Sequence, residues 1–232
     1  MMAWRGVFMG LVVGGLALSG CGSTEKYRYK MTVEVETPDG VRSGYAVREI
    51  VIRTPPNIPM LGEHRTGVGV RGEAVAVDVA PDKILFALLT GADGEFDFGG
   101  RDINFMFKEL APDKNNAVIE LWPDKPVTRR PIIVEPTPML VTFGDLNNPA
   151  SFRKVEAVAL DKVFGAGVRL KRITVQVTND PTTARISQRL EWLDRLEKYR
   201  TDRSNPFTNT LPNEINGLRR GNSGEFRGHN TN

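Results

Sequence analysis

The chain has 232 residues, of which 40% are hydrophobic and 25% are charged, as in an ordinary globular protein. These values exclude a collagen-like, low-complexity or polytopic membrane protein. The 31 Lys and Arg residues exceed the 28 Asp and Glu residues by only three, too few to indicate a nucleic-acid partner. With two histidines and one cysteine, the chain lacks the ligands for a Cys/His zinc site or a disulfide framework within the fold. We therefore predict neither a metal nor a cofactor.

The first 20 residues have the pattern of a secretory signal peptide. Arg5 is the only charged residue before Cys21, and it precedes an apolar run over residues 6–17. This run is shorter than the roughly 20 apolar residues that a membrane-spanning helix needs. It also contains four glycines, which weaken a helix. We therefore expect a cleaved leader and not a permanent membrane span.

The leader ends at Gly20, and the sequence across its end is Leu18-Ser19-Gly20-Cys21. This sequence resembles the lipobox of bacterial lipoproteins. The resemblance implies that a diacylglycerol is attached to the Cys21 sulfur, that the chain is cut between Gly20 and Cys21, and that the new amine is acylated. The alternatives are an ordinary secretory signal with a chance cysteine, or a buried N-terminal helix.

The resemblance also predicts a location. The lipid on Cys21 would make the membrane the first partner of the protein. In lipoprotein sorting of the enterobacterial type, Asp after the cysteine retains the protein at the inner membrane, and this chain has Gly22 there. We therefore expect an envelope protein of the outer membrane that faces the periplasm, with an envelope protein as a further partner.

The rest of the chain divides into three parts. We predict a lipidated N-terminus and short polar spacer over residues 21–26, one β-rich periplasmic domain over residues 27–203, and a disordered polar tail over residues 204–232. The tail prediction rests on its Asn, Gly, Arg, Ser and Thr content, with few apolar residues.

Alternating apolar and polar residues predict most of the strands. Residues 27–37 alternate, Pro38-Asp39-Gly40 forms a turn, and residues 41–53 follow as the returning strand, which predicts a hairpin. Residues 68–79 alternate again, and the continuous apolar run at residues 84–89 is typical of a strand buried on both faces. Further strands are expected at residues 119–122, 132–135, 139–143, 155–160 and 168–178.

Two features complete the predicted fold. In the last strand the apolar residues change parity, which indicates a bulge near Lys171-Arg172. Residues 103–110 predict a short helix, and Asp180-Pro181 predicts the start of an amphipathic helix that runs to about Tyr199. That helix either packs on the sheet, which we favour, or contacts anionic lipid. The fold class is mainly β: an antiparallel sandwich or strongly curved sheet with one C-terminal helix.

The central part of the chain also resembles a family of uncharacterised proteobacterial lipoproteins. The resemblance lies in residues 139–149, 164–183 and 190–193. It implies that the domain is one unit, and it implies no activity.

Three motifs point weakly to chemistry. Gly67-Val68-Gly69-Val70-Arg71-Gly72 matches the dinucleotide-binding pattern, but an alternating strand follows it where that site needs a helix. Asp93, Glu95 and Asp97 resemble the start of a calcium loop, but the Gly and Glu required later in that loop are absent. His64 lies in a polar stretch, and no particular serine is indicated as its partner.

The sequence therefore predicts no catalytic residue. The function that fits is a lipid-anchored binding or structural module of the cell envelope, not an enzyme. The alternatives are an envelope hydrolase that acts on cell wall or lipid, with a deep pocket and convergent acids, and an accessory factor in outer-membrane assembly or transport.

Overall fold

The computed structural model describes residues 22–56, 66–94, 98–111, 118–123, 125, 127–129, 132–134, 137–199, 211 and 213–220. The strands are β1 (Ser23–Thr37), β2 (Gly40–Thr54), β3 (Gly67–Glu73), β4 (Val75–Ala80), β5 (Lys83–Gly91), β6 (Val118–Leu121), β7 (Val127–Arg129), β8 (Ile132–Val134), β9 (Pro138–Phe143), β10 (Phe152–Val155), β11 (Arg169–Thr178) and β12 (Arg219–Arg220). The α-helices are α1 (Ile103–Leu110), α2 (Asp161–Phe164) and α3 (Trp192–Tyr199).

The strands form two antiparallel sheets, so the predicted mainly β fold is confirmed. The larger sheet has the strand order β12-β3-β2-β1-β11-β6, and the smaller has the order β10-β9-β5-β4. Strands β7 and β8 pair separately. The apolar faces of the two sheets enclose the main core together with α1, and Tyr29, Met31, Leu85 and Val175 are among its fully buried residues.

The predicted hairpin is the long β1–β2 pair, which turns at Pro38 and Asp39 and pairs from Ser23↔Thr54 to Thr37↔Gly40. Gly40 has a φ of 112°, which glycine adopts without strain. The strand begins four residues before the predicted start, and residues 23–26 are not a spacer. These residues have no alternating apolar pattern in the sequence. They join the strand because β2 is long enough to pair with their backbone.

The bulge predicted in the last strand is confirmed. Glu34 pairs with Arg172 and Val35 pairs with Leu170, so Lys171 has no opposite residue. The extra residue restores the apolar residues on both sides of it to the core face, where Ile173 and Val175 are buried.

The strand predicted over residues 68–79 is wrong as one element. It divides at Ala74 into β3 in the larger sheet and β4 in the smaller sheet. Alternation continues through the break, because each half has one face on a core, and periodicity alone therefore cannot locate the crossover.

The run at residues 84–89 forms the buried strand β5, as predicted. Leu85 and Ala87 face the main core, while Ile84, Phe86 and Leu88 face a second core on the other side of the smaller sheet. The C-terminal segment covers this second core with Leu190, Leu193, Leu196, Ile215 and Leu218. This confirms that the apolar face of the C-terminal helix packs on a sheet.

The single helix predicted from Asp180 to Tyr199 is shorter than expected. Only Trp192–Tyr199 is α-helical, and a 3-10 turn spans Ile186–Gln188. Before it, the Thr183 amide donates to the Val47 carbonyl at 3.1 Å, and the Val47 amide donates to Thr183 Oγ1 at 3.1 Å. These bonds hold the chain along the edge of β2 in place of a helical turn.

The predicted disordered tail is corrected for the part that the structure describes. A 3-10 helix spans Asn213–Gly217, and β12 pairs with the end of β3. Ile215 and Leu218 are buried, and the Ala74 amide donates to the Leu218 carbonyl at 2.8 Å. Two well-placed apolar residues are sufficient for docking in this polar segment.

The strand predicted at residues 155–160 is wrong. Strand β10 ends at Val155, residues 156–160 form turns, and α2 begins at Asp161. The short helix at residues 103–110 is confirmed as α1, which a π-helical turn over Phe98–Asp102 precedes.

Candidate functional site

The predicted lipid attachment site and several of the weighed motifs lie outside the described residues. This applies to Gly20 and Cys21, and with them the leader, as well as to His64, Glu95 and Asp97. A role for His64 in the hydrolase alternative therefore stays untested. Within the described residues, no group of three or more His, Cys, Asp or Glu side chains is placed to hold a metal ion.

The glycine-rich motif lies in β3 and at its end, and no helix follows it. Gly72 has a φ of 138°, and a Cβ atom there would lie 3.0 Å from Arg48 Cγ. The motif therefore has a packing role at this position: it lets β3 pass close to a large buried side chain.

That side chain, Arg48, joins strands of both sheets. It is fully buried, and its Nε donates to the Glu73 carbonyl at 2.9 Å. Its Nη2 donates to the Ala87 carbonyl at 3.0 Å. A buried guanidinium on β2 with backbone acceptors from β3 and β5 fixes how the sheets meet. The sequence of β2 gives no indication that a charged residue takes this core position.

Glu73, at the end of β3, faces the C-terminal segment. Its Oε2 accepts the amide of Arg185 at 2.6 Å and the amide of Ile186 at 2.7 Å. A carboxylate that accepts the amides at the start of a helical turn satisfies groups that would otherwise lack partners. Glu73 therefore positions the segment that closes one end of the candidate site.

The candidate site is a groove of about 260 Å³ between the edges of the two sheets. One wall is β2 at Ser43, Gly44 and Tyr45, the other is β4 at Ala76 and Asp78, and the segment 185–189 closes one end. The sheets touch at the base of the groove, because a Cβ atom on Gly44 would lie 2.0 Å from the Ala76 carbonyl oxygen. Glycine is required for this close approach.

Backbone groups of β2 face the groove. The amide and carbonyl of Val47 point away from β1 and bond to Thr183. In an antiparallel pair, residues two apart point the same way. The backbone groups of Ser43 and Tyr45 therefore point outward as well, and the Tyr45 carbonyl accepts from Arg185 Nη2 at 3.0 Å. This part of β2 is an open strand edge with one arginine across it.

Two cations lie near the Tyr45 ring in the groove. Tyr45 is 46% exposed, and the guanidinium carbon of Arg185 lies 4.5 Å from its ring centroid. Lys30 Nζ lies 5.3 Å from the same centroid and 2.9 Å from Asp180 Oδ2. The hydrogen bond from Lys30 holds the pKa of the Asp180 carboxyl below its ordinary value. These are cation–π contacts of the kind used at binding surfaces.

On the β4 wall, an ion pair neutralises the charge of Asp78. Arg189 donates from both terminal nitrogens to the two Asp78 oxygens, at 2.8 and 2.7 Å. By contrast, no described carboxylate lies within 4.0 Å of the Arg185 guanidinium. The groove therefore offers one guanidinium without an acidic partner among the described residues, an exposed aromatic ring and a strand edge. Groups of these kinds can form hydrogen bonds and stacking contacts with a bound molecule.

Sequence reasoning did not find this groove, because its residues come from three separated segments and none belongs to a motif. No helix among the described residues is both long and apolar enough to cross a membrane. Comparison with family models, curated proteins and solved structures gave no match to this chain.

Proposed function

We propose that the protein is a lipoprotein of the bacterial cell envelope, anchored through acylated Cys21, and that it binds a partner through the groove between β2 and β4. The observation that carries the anchor is the sequence itself: the only cysteine of the chain follows Leu18-Ser19-Gly20 at the end of a short apolar leader. Gly22 favours a location at the outer membrane, with the domain in the periplasm.

The part of the chain that the structure describes begins directly after this cysteine. Strand β1 starts at Ser23, so only Gly22 separates Cys21 from the sheet. An anchor at this distance keeps the domain within a thin layer at the membrane surface, which raises its effective concentration toward partners in the envelope. This geometry supports a tethered binding module.

Metabolic labelling with a clickable palmitate analogue tests the anchor. The wild-type chain should incorporate the label and lose its leader, whereas Cys21→Ala should remain a full-length precursor without label. Mass spectrometry of the mature protein should find acylated Cys21 as its first residue. A Cys21→Ala chain that matures and labels normally contradicts the proposal.

Site-specific crosslinking in cells tests the groove. A photoreactive amino acid at Ser43, in the groove wall, should give a discrete adduct that Arg185→Ala weakens. The same reagent at Val158, which is 82% exposed and outside the groove, serves as the control. Equal adducts at both positions, or none at Ser43, would contradict binding through the groove.

A further inference from the structure

The edge of β2 that faces away from β1 is covered only along part of its length. Strand β3 pairs with this edge over residues 49–53. The amide and carbonyl of Val47 bond to Thr183, and the Tyr45 carbonyl accepts from Arg185 Nη2 at 3.0 Å. Among the described residues, no strand continues this cover from Tyr45 back to the start of β2.

The backbone groups beyond this cover have no hydrogen-bond partner among the described residues. Alternate residues of an antiparallel strand point their amides and carbonyls to the same side, and those of Val47 point away from β1. Val41, Ser43 and Tyr45 therefore point their amides to this edge, and Val41 and Ser43 also point their carbonyls there. We call these amides and carbonyls the open edge. Such a row of unpaired groups is a template for a further strand.

The side chains at the open edge favour pairing. Strand edges of soluble proteins commonly carry a proline, a lysine or a bulge that prevents another strand from adding to them. The residues here are Val41, Ser43 and Tyr45, and β2 pairs with β1 through them without a shift of register. Val41 is 51% exposed and Tyr45 is 46% exposed. Since residues two apart share a face, both present apolar surface beside the same added strand.

The length of the open edge indicates the kind of partner. Residues 41–45 span about 17 Å of extended chain, between the hairpin turn at one end and Arg185 at the other. A stable interface between two folded proteins buries about 1,200–2,000 Å², which is more than a strand edge of this length offers. A peptide that adds to a sheet gains its affinity from main-chain hydrogen bonds over a few residues. The open edge therefore fits an extended segment better than a second copy of the chain.

We propose that the partner in the groove is an extended polypeptide segment that adds a strand to β2 at residues 41–45. This inference rests on the proposed function and specifies how the groove binds. The segment donates to the carbonyls of Val41 and Ser43 and accepts from the amides of the open edge. Its residues opposite Val41 and Tyr45 are apolar, because apolar cross-strand pairs stabilise a sheet. Its donating residues are not proline, which lacks the amide hydrogen.

The test uses the mature chain, residues 21–232, kept reduced, and a phage-displayed library of random linear dodecapeptides as the probe. The most enriched peptides are synthesised with a fluorescent label, and their Kd is measured by fluorescence anisotropy. We expect binding by peptides that have two apolar residues separated by three others, without proline between them. A selection that yields no peptide able to bind the purified chain would overturn the inference.

Two substitutions at Ser43 separate backbone pairing from side-chain contact. Ser43→Pro removes an amide that points away from β1, so the hydrogen bonds between β1 and β2 remain. This variant should weaken peptide binding about tenfold or more. Ser43→Ala is the matched control: it keeps the amide and should leave the Kd nearly unchanged. An unchanged Kd in Ser43→Pro, or equal losses in both variants, would contradict strand addition. Melting curves followed by circular dichroism establish that both variants are folded.

Amide hydrogen exchange, followed by NMR, measures the pairing without any substitution. In the free chain the amides of Val41 and Ser43 should exchange rapidly, whereas those of Arg42 and Gly44, which point toward β1, should be protected. A bound peptide should slow exchange at Val41 and Ser43. If the peptide binds and both amides still exchange rapidly, the strand is not added at this edge.

Sedimentation velocity without peptide tests the second copy as the occupant. We expect a monomer. A dimer that Ser43→Pro dissociates would assign the open edge to self-association and overturn the peptide.

These results can be told apart from failure of the proposed function. A crosslink at Ser43 in cells, together with peptide binding that does not need the Ser43 amide, would keep the binding groove and overturn strand addition. Peptide pairing at the open edge without any crosslink in cells would contradict only the role of the groove in the envelope.

Discussion

The Glu73 carbonyl oxygen accepts a hydrogen bond from Arg48 Nε at 2.9 Å, while the carboxylate of the same residue accepts two amides from the C-terminal segment. One residue at the end of β3 thus connects the buried guanidinium between the sheets with the segment that closes one end of the groove. The next residue, Ala74, bonds to Leu218. The junction where the chain changes sheets is therefore also the place where the C-terminal segment is held.

Replacing the Glu73 carboxylate tests this junction. Glu73→Gln weakens the acceptor for the amides of Arg185 and Ile186, and we expect a loss of about 1–3 kcal/mol in the free energy of unfolding. The measurement is urea denaturation. Asp78→Asn is the control, because it removes an exposed ion pair and should cost less than about 1 kcal/mol. Equal losses would show that the buried carboxylate has no special role.

The contact between the sheets at Gly44 gives a second prediction. An alanine Cβ there would lie 2.0 Å from the Ala76 carbonyl oxygen, so Gly44→Ala must push the two strands apart. We expect a loss of about 3 kcal/mol, at the upper end for overpacked sites. A Cβ atom on Gly144 would lie 3.7 Å from its nearest neighbour, Ser151 Cβ, and Gly144→Ala should be near neutral. Similar denaturation midpoints for the two variants would contradict the tight contact.

Leu218 tests the docking of the C-terminal segment. It is fully buried in the second core, and Leu218→Ala should cost about 2–5 kcal/mol, seen as a lower melting temperature. Leu110→Ala removes the same atoms from a side chain that is 54% exposed, and it should change the melting temperature much less. If the two variants have the same melting temperature, the segment is not part of the folded domain.

The half-buried Tyr27 and the fully buried Tyr29 predict a loss of stability at alkaline pH. Burial raises the pKa of Tyr27 and of Tyr29 above the ordinary value of 10.0. The Tyr27 hydroxyl donates to Asn104 Oδ1 at 2.9 Å, and the Tyr29 hydroxyl donates to the Gly99 carbonyl at 2.7 Å. Because these pKa values are higher in the folded state, their stabilisation is complete below pH 10 and is lost as the pH rises beyond it.

Phenolate absorbance near 295 nm measures this effect. The native chain should ionise fewer than its four tyrosines until it unfolds, whereas the chain in denaturant should ionise all of them near their ordinary pKa. Tyr27→Phe should leave the number that ionise before unfolding unchanged. A native titration that matches the denatured one would contradict the raised pKa values of the two phenols.

The glycine at position 22 has two possible physical explanations, one from lipoprotein sorting and one from packing. The residue after the proposed lipidated cysteine favoured the outer membrane because it is not Asp. In the structure it also lies so close to the end of β2 that a Cβ atom would be 2.8 Å from a backbone oxygen. Packing alone therefore favours glycine at this position, and sorting needs its own experiment.

Local patterns in the sequence determined the elements that depend on near neighbours. The turn at Pro38-Asp39-Gly40, the strand β5 buried on both faces, the bulge at Lys171 and the helix α1 could all be predicted, since turn chemistry and alternation with period two act within a few residues. The proposed leader and its cysteine rest on the sequence alone.

Only the tertiary structure decided which sheet each strand joins and where the groove lies. The crossover at Ala74, the placement of Arg48 in the core and the meeting of Tyr45 with Arg185 depend on residues far apart in the chain. The physical reason is that burial and hydrogen bonding are satisfied across strands, and no spacing within one segment encodes the partner on another.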